Sequence, residues 1–216
     1  MDAAFERLIA HDAVVTEAQD PKPFVGRGAL KLEHALDHFA IDPRGLVGAD
    51  FGCNVGGFTD LLLRRGAAKV YTVDTGYGAL AYTLRTDPRV VVMERTNALH
   101  APAPGEPIDL IVIDMGWTPQ RLAVPAALAW LTPEAHGRIV TLIKPHYEIG
   151  RAEGSSMLVK GVLPDEAAAK IAEQAANQAP EWGARLLGLT PSPIRGGAGK
   201  KNKEGNLEWL ALLARA

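Results

Sequence analysis

Five short stretches of this chain are apolar along most of their length: GLVGAD (45–50), KVYTVD (69–74), RVVVMER (89–95), DLIVID (109–114) and RIVTLIK (138–144). A strand with one face in water alternates apolar and polar residues, so runs dense in Val and Ile predict strands buried on both faces. Helical patterns fill several of the gaps, in FTDLLLRRG, PQRLAVPAALAWL and DEAAAKIAEQAANQA. Strands that alternate with helices predict an α/β fold, a doubly wound parallel sheet with helices on both sides. Two further runs, ARLLGLTPSPI and LEWLALLARA, are joined by a Gly/Lys-rich loop without a helix, which predicts an antiparallel hairpin at one side of the sheet. The expected sheet has about seven strands, the last antiparallel.

Ahead of the first strand, RGALKLEHALDHF has apolar residues at 30, 32, 35, 36 and 39 and reads as a helix. The 216 residues suffice for one domain with a real core, divided here into an N-terminal extension (1–24) and the domain proper (25–216). Two loops are long for a compact domain, HYEIGRAEGSSMLVKGVLPDE and PSPIRGGAGKKNKEGN, and ordered loops of that length usually carry function. A net charge of −2 argues against a strongly basic coat but leaves room for a local basic face. The single cysteine, Cys53, rules out an internal disulfide and reads as a small buried filler rather than a nucleophile. No apolar run approaches the length of a membrane span and the N-terminus lacks a signal-peptide core, so the expected location is cytoplasmic.

DFGCNVGGFTD (50–60) combines a strand end, a tight turn and a helix start. A dinucleotide site wants G-x-G-x-x-G, so that a pyrophosphate can approach the helix. Here the register is G-x-x-x-G-G, with glycines at 52, 56 and 57 and Asn54 where the second glycine belongs. A P-loop fits no better, because GGAGKK lacks the upstream glycine and has Lys201 where Ser or Thr would bind magnesium. Asp74, Asn97 and Asp114 stand at the ends of successive strand runs. Asp74 is placed to accept both hydroxyls of a ribose, and Asn97 can read an adenine edge with its amide. With no phosphate to cradle, a loop containing Asp50, Gly52, Asn54, Gly56 and Gly57 suits a nucleoside with a short zwitterionic tail, as in S-adenosylmethionine.

From about Val25 onward the chain carries, in order, GRGALKLEHAL, DFGCNVGGFTDLLLRRGAAKVYTVDTGYGAL, DPRVVVMERTNA, IKPHYE, PSPI and GNLEWL. On these motifs it resembles the FtsJ-like ribose 2′-O-methyltransferases, and among them the TlyA-type ribosomal RNA methyltransferases, also called hemolysins. The resemblance implies a Rossmann-like methyltransferase sheet, S-adenosylmethionine as cofactor and ribosomal RNA as partner. It implies a Lys-Asp-Lys-Glu tetrad at Lys31, Asp114, Lys144 and Glu208, and cofactor contacts at Gly56, Phe58, Asp74, Asn97 and Asp114. There are two departures. TlyA-type chains begin with a small RNA-binding module that is not recognised here, and they carry Ser-Phe after the aspartate where this chain has MGWTPQ.

The chemistry such a tetrad can do is methyl transfer from a sulfonium to oxygen, an in-line displacement that needs no metal. A ribose hydroxyl is a poor nucleophile until its proton is leaving, and a lysine in a low-dielectric pocket can take that proton. Lys144 is the expected base or principal orienter of the hydroxyl, tuned by Asp114, with Lys31 and Glu208 completing the network. Taken singly, Lys31 reads as a solvated charge on an amphipathic helix and Glu208 as an outward residue of an edge strand. Arg27, Arg195, Lys200, Lys201 and Lys203 are the expected RNA-binding rim, beside Lys31. Trp117 and Tyr147 are candidates either to stack on an extruded base or to pack the loops. His34 and His38 share a helix face but lack a third ligand, so no metal is expected. Two other readings remain: a methyltransferase with another RNA or a small molecule as acceptor, and a non-catalytic RNA-binding assembly factor with a vestigial cofactor pocket.

Overall fold

The structure, a computed structural model, describes residues 23–149, 157–159, 161–197 and 205–216. Nearly all of the expected N-terminal extension lies outside the described residues, as do Lys200, Lys201 and Lys203. The chain runs α1 (Ala29–His38), β1 (Val47–Phe51), α2 (Gly57–Arg64), β2 (Lys69–Val73), α3 (Tyr82–Arg85), β3 (Val90–Met93) and β4 (Leu110–Ile113). It continues through α4 (Gln120–Trp130), β5 (Arg138–Ile143), α5 (Pro145–Glu148), α6 (Asp165–Asn177), β6 (Ala184–Pro191) and β7 (Trp209–Arg215). The seven strands form one sheet in the order β3-β2-β1-β4-β5-β7-β6, with β1 to β5 parallel and β7 antiparallel to both of its neighbours.

The central strands are apolar throughout because each face feeds a different core. Leu110, Val112, Val140 and Leu142 join the layer beneath α1 and α2, with Leu32, Leu36 and Leu62. The alternate residues Ile111, Ile113, Ile139 and Ile143 join the layer beneath α4 and α6, with Val124 and Ala172. Strand order reverses between β1 and β4, whose register pairs Phe51 with Ile113. A crevice opens at the carboxyl ends of strands where the winding changes direction. Gly52 and Asp114 are the first residues beyond this pair, so the glycine loop and the expected catalytic acid start side by side.

The face of α1 differs from the expected one. Leu30 is 43 % exposed, while Lys31 is 6 % exposed and lies on the inward side with Ala29, Leu32, Ala35 and Leu36. A charge on the core side of a helix needs a partner there, and it has one in the site described next.

Gly56 caps α2 with φ +97, and a Cβ there would drive into Leu84 and lie 2.8 Å from Leu80 Cδ1. Gly56→Ala therefore combines left-handed strain with a clash. It is expected to lose about 1–3 kcal/mol of stability and to weaken cofactor binding, as read by thermal melting and calorimetric titration.

Candidate active site

Asp74, just after β2, organises the glycine loop. Its Oδ2 accepts the Asn54 N–H at 2.8 Å and its Oδ1 accepts the Gly76 N–H at 2.7 Å. Each carboxylate oxygen retains a second lone pair, so the residue can hold the loop and still accept hydroxyls. Asn54 takes a left-handed φ of 48°, a conformation that asparagine tolerates better than most side chains. Asn97 is exposed, and its Oδ1 accepts the Leu99 N–H at 3.0 Å.

Asp50 is the penultimate residue of β1 and is 1 % exposed. Its Oδ2 accepts the Thr59 N–H at 3.1 Å and the Thr59 hydroxyl at 2.7 Å, while its Oδ1 is buried without a partner among the described residues. Burial pushes this carboxyl up to about 7; Thr59 opposes the shift and the nearby Asp114 and Asp74 carboxylates reinforce it. Phe58 is 3 % exposed, and its ring lies 3.6 Å from where a Cβ on Gly28 would stand. Its side chain belongs mainly to the core, so the loop offers a ligand mostly backbone at that point. Burial likewise pushes the Cys53 thiol well up, which leaves it an inert filler.

These groups line a cavity of about 710 Å³ at the crevice, and all four residues of the expected tetrad line it too. They form two ion pairs. Lys31 Nζ meets Glu208 Oε2 at 2.6 Å, with both side chains almost fully buried. Lys144 Nζ meets Asp114 Oδ1 at 2.6 Å and donates to the Met115 carbonyl at 3.2 Å. The second pair is more open, with side-chain exposures of 14 % and 25 %. Lys31 comes from α1, Asp114 from the end of β4, Lys144 from the end of β5 and Glu208 from the residue before β7. The fold thus brings together groups up to 177 residues apart. The chain presses closely on the buried pair, since a Cβ on Gly196 would lie 2.6 Å from Glu208 Oε1.

Of the expected RNA-binding rim, Arg27 is exposed at the cavity and its Nη2 donates to the Arg195 carbonyl at 3.5 Å. The Arg195 guanidinium is itself paired with Asp165 at 2.8 Å. Trp117 is 85 % exposed with φ 54°, and its ring lies 6.2 Å from that of Tyr147, both on the cavity wall. A large aromatic held outward at the mouth is available to a planar ligand. Among the described residues there is no group of three His, Cys, Asp or Glu that could hold a metal.

The site fits S-adenosylmethionine. Asp74 and Asn97 lie on its wall, each Asp74 oxygen keeps a lone pair free, and the volume exceeds that of a nucleoside alone. Glu148, which the sequence reading did not single out, emerges beside the site. Its carboxylate accepts the Gln120 N–H, and burial pushes it up to about 7. Its signal is burial of an acid, which the motif IKPHYE does not reveal by itself.

Comparison with known proteins gives a concordant picture. The family model described as FtsJ-like methyltransferase matches residues 24–199. TlyA of Mycobacterium tuberculosis, named a 16S/23S rRNA (cytidine-2′-O)-methyltransferase, is 41 % identical over 203 residues, covering 93 % of this chain and 71 % of that protein. TlyA of Campylobacter jejuni, named a 23S rRNA (cytidine-2′-O)-methyltransferase, is 30 % identical over 188 residues, covering 87 % and 69 %. A solved structure of a proposed hemolysin from Streptococcus thermophilus matches with a TM-score of 0.80 and 33 % identity, covering 92 % of this chain and 69 % of that one. For the hemolysin name, the relevant observation is that no helix among the described residues is long and apolar enough to cross a membrane.

Proposed function

Because the chain belongs to the FtsJ-like methyltransferase family, we propose that it methylates a ribose 2′-hydroxyl of ribosomal RNA, with S-adenosylmethionine as donor and a cytidine of the 23S RNA as the first acceptor to try. The observation that carries this reading is the convergence of two lysine–carboxylate pairs on the cavity that also holds the glycine loop and Asp74. The names of the two TlyA relatives agree on 23S cytidine and differ on 16S, which sets the order of substrates.

The bound cofactor supplies an electrophilic methyl group on a positively charged sulfur. Asp74 and Asn97 would hold its nucleoside and the 52–58 loop its tail, in the cavity that the tetrad also lines. Lys144 is the group that receives the hydroxyl proton, after releasing one of its own to water. Asp114, 2.6 Å away, then neutralises the ammonium that forms. Lys31 and Glu208, locked together and buried, fix the far side of the sugar by position rather than by proton exchange. Trp117 and Tyr147 offer ring faces to the unstacked base, and Arg27, exposed at the cavity, contacts a phosphate.

The test is to incubate the protein with methyl-labelled S-adenosylmethionine and ribosomes or ribosomal RNA, then digest to nucleosides. Label in 2′-O-methylcytidine from 23S RNA is the expected result. Label on a base refutes the acceptor. Tight cofactor binding without transfer to any RNA would favour the assembly-factor reading instead.

A further inference from the structure

The loop that brings Asp114 to Lys144 runs from 114 to 119, between β4 and α4. On the strand side it is anchored by the Asp114 N–H, which donates to the Phe51 carbonyl at 3.0 Å. In its middle, Trp117 is left-handed and exposed. On the helix side, Pro119 gives α4 no side-chain cap. The cap comes from another segment: both carboxylate oxygens of Glu148 accept the Gln120 N–H, at 3.1 and 3.2 Å. The buried Gln120 side chain is gripped by the same segment, donating from Nε2 to the Leu142 carbonyl at 3.1 Å and accepting the Thr141 hydroxyl at 2.6 Å.

We propose that Glu148 is a positioning residue for the transfer step: by holding the first amide of α4 it sets where the 114–119 loop presents Asp114 and the Met115 carbonyl to Lys144. The proposal rests on the function proposed above. Lys144 and Glu148 bracket α5, which is a single turn. The Lys144–Asp114 and Lys144–Met115 contacts therefore tie the two segments at one end, and Glu148–Gln120 ties them at the other.

A charged carboxylate is a good acceptor at a helix N-terminus, whereas a protonated one has an oxygen turned into a donor and grips less well. Burial pushes Glu148 up to about 7, against the lowering influence of the Gln120 N–H and Arg121. Arg121 is the charge that acts on it from α4. Helix α6, which packs on α5, keeps Glu166, Lys170 and Glu173 exposed. On its own segment, Lys144 is committed to Asp114, and His146 is lowered to about 4 by burial and by Lys144, so it is neutral from pH 6 to 8. The acid loses its proton as pH rises, so the cap strengthens across that range.

The test compares kcat of the wild type and Glu148→Gln from pH 6 to 8 at saturating cofactor and RNA. The wild-type to variant ratio should rise from about 1 to about 10, with KM for the cofactor changed less than about twofold. The Asp50 carboxyl, also pushed up to about 7 by burial, is bonded to Thr59 and not to Glu148, so its titration is common to both proteins and cancels in the ratio. Amide NMR on the cofactor-free protein gives a readout that needs no activity. The Gln120 amide of the wild type should titrate with a midpoint near 7, that movement should vanish in Glu148→Gln, and the amides of Met115 to Thr118 should shift in the variant. A ratio flat across pH, or a wild-type Gln120 amide that stays still, overturns the proposal. If no RNA is methylated at all, the function fails, and the NMR measurement still decides whether the clamp exists.

Discussion

Lys144→Ala is expected to lower kcat for methyl transfer by about 10²–10⁴-fold while leaving the S-adenosylmethionine Kd within about threefold of the wild type. The lysine bonds to Asp114 and the Met115 carbonyl rather than to the glycine loop, so its loss removes chemistry rather than cofactor contacts. Asp114 would be left without its cation, but at 25 % side-chain exposure water can solvate it, so the fold should survive. Lys144→Arg should not restore the rate, because a guanidinium keeps its proton and cannot act as a base. Single-turnover transfer at full speed by the alanine variant would remove Lys144 from the mechanism.

The other ion pair should behave in the opposite way. Lys31→Met leaves Glu208, 4 % exposed, without a counter-charge, and is expected to cost about 3–5 kcal/mol of stability. For a domain of this size that is a fall in Tm on the order of ten degrees. The double variant Lys31→Met/Glu208→Leu should recover much of the stability, because a buried apolar pair avoids the desolvation of two charges. It should remain inactive, because the groups that hold the sugar are gone. Thermal melts and transfer assays on the single and double variants check both halves. A single variant as stable as the wild type would mean that the buried pair is not the constraint that the geometry makes it.

These pairs also mark the limit of what the sequence discloses. The central strands β1, β4 and β5 were legible because burial on both faces leaves runs that no half-exposed strand would tolerate, and β6 and β7 because a loop without a helix joins them. Helices α2, α4 and α6 were legible from their period. Single turns such as α3 and α5 were not, since four residues cannot establish a helical repeat. Lys31 shows the harder case. Its helix invites an outward reading with Leu30 inside, and the structure exchanges the two because Glu208, far along the chain, waits on the inner side. The tetrad was found by matching spaced motifs to a family, and local pattern had no means of pairing its members. Phe58, expected at the cofactor, lies both on the cavity wall and in the core, a double placement that local pattern does not reveal. Glu148 went unnoticed because nothing in PHYE announces a half-buried carboxylate capping another helix.

Strand β6 is synthesised before β7, yet its neighbour in the sheet is β7, which also separates it from β5. Until β7 inserts, β6 has nothing to pair with and β5 presents an open edge. Assembly of this half of the molecule must therefore wait for a non-local pairing, and the premature species is the one prone to stick to its own kind. The arrival of β7 also delivers Glu208 to Lys31. Completion of the sheet and completion of the pocket are one event, so a half-folded molecule has no route to a working catalyst.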